Sequence, residues 1–149
     1  MDATTLQDGT TEVSIPLPRS LDTRIYIRLS TRTRAVVVCL TTASEDDHGA
    51  AVPMGSFVYA LPNRVDSSQP LSTALFPHEP TLEFTTRMAK LLARKTDLPV
   101  YVTNSISFVN AGMGGTVEEE MEAFKSIVQV ALEHIKDVGG KAAADGNRS

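Results

Sequence analysis

The sequence predicts an α+β fold: a roughly six-stranded, mostly antiparallel sheet with two α-helices, and the other sheet face used for dimerisation. Three observations predict it. Six short runs rich in β-branched and aromatic residues occur before Ser105, most joined by short links that favour antiparallel neighbours. Two segments with helical apolar spacing follow late in the chain, where helices of an α+β domain cover one face of the sheet. Two of the strands are apolar on both sides, so a single layer of helices leaves apolar surface uncovered.

The elements follow in order. Residues 1–10 are polar and acidic without periodicity, which predicts a disordered N-terminal tail. In EVSIPL, Val13, Ile15 and Leu17 alternate with Glu12, Ser14 and Pro16, and Pro16 places the strand at an edge or ends it. RIYIRLS sets Ile25, Ile27 and Leu29 against Arg24, Tyr26 and Arg28, a strand with one apolar face. A polar TRTR link, Thr31 to Arg34, leads to AVVVCLT from Ala35, close enough for a hairpin. Residues 42–53, TASEDDHGAAVP, read as a loop by their small, acidic and Gly/Pro content. GSFVYAL is a strand apolar on both sides, ended by Pro62 and Asn63, and Leu71 to Phe76 is another short strand.

The first helix follows PHEP. Phe84, Met88, Leu91 and Leu92 form its apolar stripe, Pro80 suits a first helical position, and Arg94 and Lys95 meet the negative end of its dipole. Asp97 and Pro99 stop it, and VYVT from Val100 is a strand that this helix can cover. The GMGG run before the second helix is read as a flexible linker. TVEE is a capping box with Thr116 as cap and Glu119 reaching back. Val117, Met121, Phe124, Val128, Ala131, Ile135 and Val138 then step by four and three, widened by Ile127 and Leu132, until Gly139 and Gly140 end the helix. Residues 11–140 are thus one domain, and 141–149 a disordered C-terminal tail.

Composition and motifs narrow the function classes. A formal net charge of −4 argues against sequence-independent nucleic-acid binding, which relies on clustered Lys and Arg. No apolar run approaches membrane-spanning length and no signal-peptide pattern opens the chain, so a soluble protein is expected, in the cytoplasm with the nucleus as a second compartment. Cys39 is the single cysteine, which rules out an internal disulfide, and inside AVVVCL it reads as a small buried hydrophobe. His48 beside Asp46 and Asp47 reads as part of a solvated acidic loop, because a metal site needs three or four converging ligands. GMGG before a helix resembles a phosphate cradle, yet it lacks the Lys and Ser/Thr of a P-loop. Glu118, Glu119, Glu120 and Glu122 also stand where a phosphate would sit. His48, His78 and His134 accompany no nucleophile-elbow serine, so the residues call for no catalysis, metal or cofactor.

The two-faced strands nominate Val36, Val37, Val38, Phe57, Val58 and Tyr59 as the candidate dimer-face residues. A small trafficking or signalling adaptor of similar sheet-and-helix build shares this pattern.

LLARKT at Leu91–Thr96, closely followed by VYVTN at Val100–Asn104 and preceded by PLSTALF at Pro70–Phe76, resembles the proteasome assembly chaperone 4 family, in its fungal type. The likeness covers residues 70–104 well and the rest in order of elements. It implies a non-catalytic protein without cofactor. It also implies a heterodimer with a chaperone 3-like subunit that helps 20S proteasome α-subunits assemble into a ring. Arg94 and Lys95, within the resembling segment, become the candidate contact to a proteasome subunit. The acidic loop at 42–53, the GMGG run and the tails depart from the family pattern.

Overall fold

The computed structural model describes residues 2–6, 10–44 and 55–146, with side-chain environments over 10–44 and 55–135. The acidic loop with Asp46, Asp47 and His48, and the last residues 147–149, lie outside the described residues.

Alternation of apolar and polar side chains builds the sheet. Its strands are β1 (Asp2–Leu6), β2 (Thr10–Pro16), β3 (Thr23–Arg32), β4 (Ala35–Ser44), β5 (Ser56–Leu61), β6 (Leu71–Phe76) and β7 (Val100–Ser105). They lie in the order β1-β2-β3-β4-β7-β5-β6. All neighbours are antiparallel except β4 and β7, which run parallel, with Val38 opposite Val102. The α+β class and the six expected strands are present. The added strand is β1, where the sequence predicts an unstructured tail: Ala3 pairs with Val13 and Thr5 with Thr11. The run DATTL carries no alternating apolar signal, so only its backbone pairing identifies it as a strand.

The helices are α1 (Glu79–Thr96) and α2 (Val117–Gly146). α1 begins after His78, carries Pro80 in its first turn, and ends on Asp97 in the left-handed region (φ 56°), whose amide donates to the Ala93 carbonyl. α1 lies across β5 and β7, and α2 packs beside α1 and over β3. Between helices and sheet sits the core: Val13, Ile15, Ile25, Ile27, Leu29, Val36, Val38, Leu40, Val58, Val100 and Val102 from the strands, with Met88, Leu92 and Ile127 from the helices.

Two helical expectations shift. α2 continues through Gly139 and Gly140 to Gly146, because these glycines remain helical rather than forming a left-handed cap. Its buried line is Ala123, Ile127, Val130, Ala131 and Ile135, while Phe124, Val128 and Leu132 are half-buried and Val117 and Met121 are exposed. The apolar stripe is therefore centred about one residue away from the expected one, and its first turns extend beyond what the sheet covers.

Candidate partner interface

Among the described residues one face of the sheet carries no helix, and the residues on it follow from the strand register. One row across it reads Ser30, Val37, Tyr101, Tyr59, Thr73, and the next reads Glu12, Arg28, Cys39, Thr103, Phe57, Phe76. Successive strand residues point to opposite faces, so the six nominated residues divide. Val37, Phe57 and Tyr59 lie half-buried on the open face. Val36, Val38 and Val58 point the other way, into the helix-covered core, each at 0% exposure. These three are corrected from the candidate face to the core, for the single reason that strand side chains alternate. Cys39, expected as a buried hydrophobe, is half-exposed on the open face by the same alternation.

Tyr101 joins the candidates. Its ring stacks on Tyr59 at 4.4 Å between centroids and lies 6.1 Å from the Phe57 ring. The signal was present in the sequence: Val100 and Val102 belong to the core, so Tyr101 between them must face outward. Partial burial, then the neighbouring Tyr101 hydroxyl, raise the Tyr59 pKa above its ordinary value, so the Tyr59 phenol remains a neutral hydrogen-bonding group at physiological pH. Stacked aromatics with polar tips are what partner surfaces favour, because they bury large area and still satisfy a hydrogen bond.

The face changes character toward β2. Arg24 donates from Nε to the Ser14 hydroxyl and from Nη2 to the Ser14 carbonyl, both at 3.1 Å. Glu12 stands opposite Arg28 in the register. Between the polar and aromatic halves is a recess of ≈ 400 Å³, lined in part by Glu12, Tyr26, Arg28, Cys39 and Thr103. Beyond the aromatic half, β6 is the free edge of the sheet, with Leu71, Leu75 and Phe76 exposed and no charge along the strand. Edge strands without charge or proline in their middle invite pairing with another chain.

Arg94 and Lys95 lie exposed in the last turn of α1, and neither makes an ion pair among the described residues. They are far along the helix from the N-terminal end, where α1 meets the start of α2 through Phe84 and Phe124.

The loop before α2 is not the flexible linker the sequence suggests. Glu119 turns back and is fully buried. Its Oε2 accepts from the Met113 amide at 2.9 Å, and its Oε1 from the amides of Gly115 at 3.0 Å and Thr116 at 3.1 Å. The Thr116 hydroxyl in turn accepts from the Glu119 amide at 3.2 Å, completing the expected capping box. Gly114 (φ 78°) and Gly115 (φ 98°) hold the left-handed backbone that turns these amides inward. The loop is thus an anion cradle whose anion is the chain's own carboxylate. Burial raises the Glu119 pKa, but the amide bonds of Met113, Thr116 and Gly115 outweigh it and the carboxyl titrates below its usual range. Arg19 Nη1 approaches Oε2 at 3.8 Å, and the Gly112 amide donates to the Pro18 carbonyl, so the 18–19 turn is tied to the same loop.

Among the described residues no group of three or more His, Cys, Asp or Glu side chains could hold a metal ion, and no helix is long and apolar enough to cross a membrane.

A family model described as "Proteasome assembly chaperone 4" matches residues 24–106, more than half of the chain, from β3 to just beyond β7. No curated protein sequence matches. Among solved structures the chain is similar in fold to one described as "Crystal Structure of a Novel Chaperone Complex for Yeast 20S Proteasome Assembly". That likeness has a TM-score of 0.50 at 15% identity, over 87% of this chain and 97% of the other.

Proposed function

Because the chain belongs to the proteasome assembly chaperone 4 family, we propose that it is a non-catalytic chaperone of 20S proteasome assembly. It acts as a heterodimer with a chaperone 3-like companion, and the pair brings α-subunits together into the α-ring. The single observation that carries the pairing is the uncovered sheet face with Phe57, Tyr59 and Tyr101 clustered on it. An apolar and aromatic face opposite a helix-covered one supports a second sheet laid over it, because two such faces bury each other at about 10 Å separation. The polar half, with Glu12, Arg24 and Arg28, supplies register and selectivity rather than most of the affinity.

The test is co-purification of the full chain with mass spectrometry of what accompanies it. A chaperone 3-like subunit and proteasome α-subunits support the proposal; vesicle components would favour an adaptor instead.

Arg94 and Lys95 are proposed to steer an α-subunit through an acidic patch. Charged contacts at an interface rim act mainly on association rate and its salt dependence. The double change Arg94→Glu with Lys95→Glu is expected to leave the heterodimer intact, slow α-subunit binding and flatten its response to salt. Unchanged stopped-flow kinetics in a normally folded variant would reduce the pair to a complement of the helix dipole.

A further inference from the structure

A second apolar surface lies at the opposite layer of the molecule, where α2 begins. Phe84 of α1 meets Phe124 of α2 edge-on at 5.2 Å and Phe108 of the preceding loop at 6.0 Å. All three rings are only half-buried. Gly115 packs so closely on Phe108 that a β-carbon there would stand 3.0 Å from the Phe108 Cβ. Around this aromatic floor stand Met113 at 67% exposure, Val117 at 70% and Met121 at 52%. Val117 and Met121 are one helical turn apart, and Met121 is three residues before Phe124, so the patch is continuous along α2. Met113 is fixed to the same turn by its amide bond to Glu119.

The rim is acidic. Glu118 and Glu120 are exposed on either side of the stripe, whereas Glu122 lines a recess with Pro16, Arg19 and Ser20 on another side of the helix, and a single cation, Lys125, stands one turn after Met121. Helix-dipole stabilisation accounts for carboxylates at a helix N-terminus. It does not account for large apolar side chains left in water beside them. Methionines and aromatics are the side chains that adapt to and anchor protein partners.

We propose that this end of α2 is a client-docking surface for a protein segment that presents an apolar side chain between Lys or Arg residues. The inference rests on the reading of the chain as a proteasome assembly chaperone, and it places the client on the helix layer, away from the sheet face that takes the companion. Charge complementarity fixes the occupant: carboxylates around an apolar floor favour a basic rim around an apolar knob. Glu119 holds the loop amides in place beforehand, so little ordering is required on docking.

The experiment uses the full chain in complex with its companion, and recombinant 20S α-subunits added singly as probes. Val117→Ser with Met121→Ser should weaken binding of the recognised α-subunit at least tenfold, with the melting temperature and the companion complex unchanged. Glu118→Gln and Glu120→Gln together should slow its association and reduce the salt dependence of the rate. If the wild-type pair binds an α-subunit and both variants bind it equally well, the docking surface is overturned while the proposed function stands. Variants that lose the companion instead of the α-subunit would equally overturn it. If the wild-type pair binds no α-subunit, the proposed function fails and the docking surface falls with it.

Discussion

Glu119 shows how one residue organises a region through hydrogen bonds alone. Its buried carboxylate occupies a cradle of loop amides and pairs three of them at once. The native pKa lies below the ordinary value of 4.5, so the stabilisation is fully present above that value and is lost as pH falls through the lower native pKa. Glu119→Gln should therefore lower the melting temperature at neutral pH and flatten the acid limb of the stability curve, measured by thermal melts between pH 2.5 and 7. An acid limb identical to wild type would mean that the carboxylate is not the titrating group. Thr116→Ala removes the other half of the capping box and should cost about 1 kcal/mol in urea unfolding. Gly112→Ala has a different basis: its new Cβ would collide with Arg19, so the turn that ties β2 and β3 to the loop must shift. The capping box was legible from Thr116 and Glu119 alone. The burial of Glu119 was not, because its second oxygen is matched by Met113, whose amide comes into place only once the loop closes.

Elements were legible where side-chain period and burial coincide. In β3, Ile25, Ile27 and Leu29 alternate with polar residues, and all three are in the core. A change such as Ile27→Ala, in the middle of the sheet at 0% exposure, should cost roughly 2–5 kcal/mol by chemical denaturation. β4 and β5 are apolar on both sides, so their sequence identifies two faces without saying which one the helices cover. Placement of β7 decides this. It inserts between β4 and β5, parallel to one and antiparallel to the other, through contacts remote in sequence that no local pattern reports. The phase of α2 escaped for a related reason. Val117 and Met121 fit the apolar spacing, yet the sheet and α1 end before reaching them, so amphipathic spacing there reports a surface and not a core.

At the scale of the whole molecule, a single helical layer cannot cover two apolar faces of one sheet. The covered face carries Val36, Val38 and Val58; the uncovered face carries Val37, Phe57, Tyr59 and Tyr101, continued by the exposed edge strand β6. Without a companion, the chain is expected to self-associate through this surface, and static light scattering should show a mean mass that rises with concentration. A partner that covers the face should suppress that rise. Sequence patterning thus pointed to a second apolar face, while the identity of the residues on it required the register of the strands.

The most direct test mixes the chain with the proposed chaperone 3-like companion and measures the mass of what forms by sedimentation velocity at matched concentrations. The wild-type chain should form a one-to-one heterodimer. Tyr59→Ser with Tyr101→Ser, on the uncovered face, should remain folded and sediment as separate subunits, since removing central aromatic anchors costs about 2 kcal/mol or more each. A heterodimer of wild-type affinity from that variant would contradict the account, because the companion would then be bound somewhere other than the uncovered sheet face.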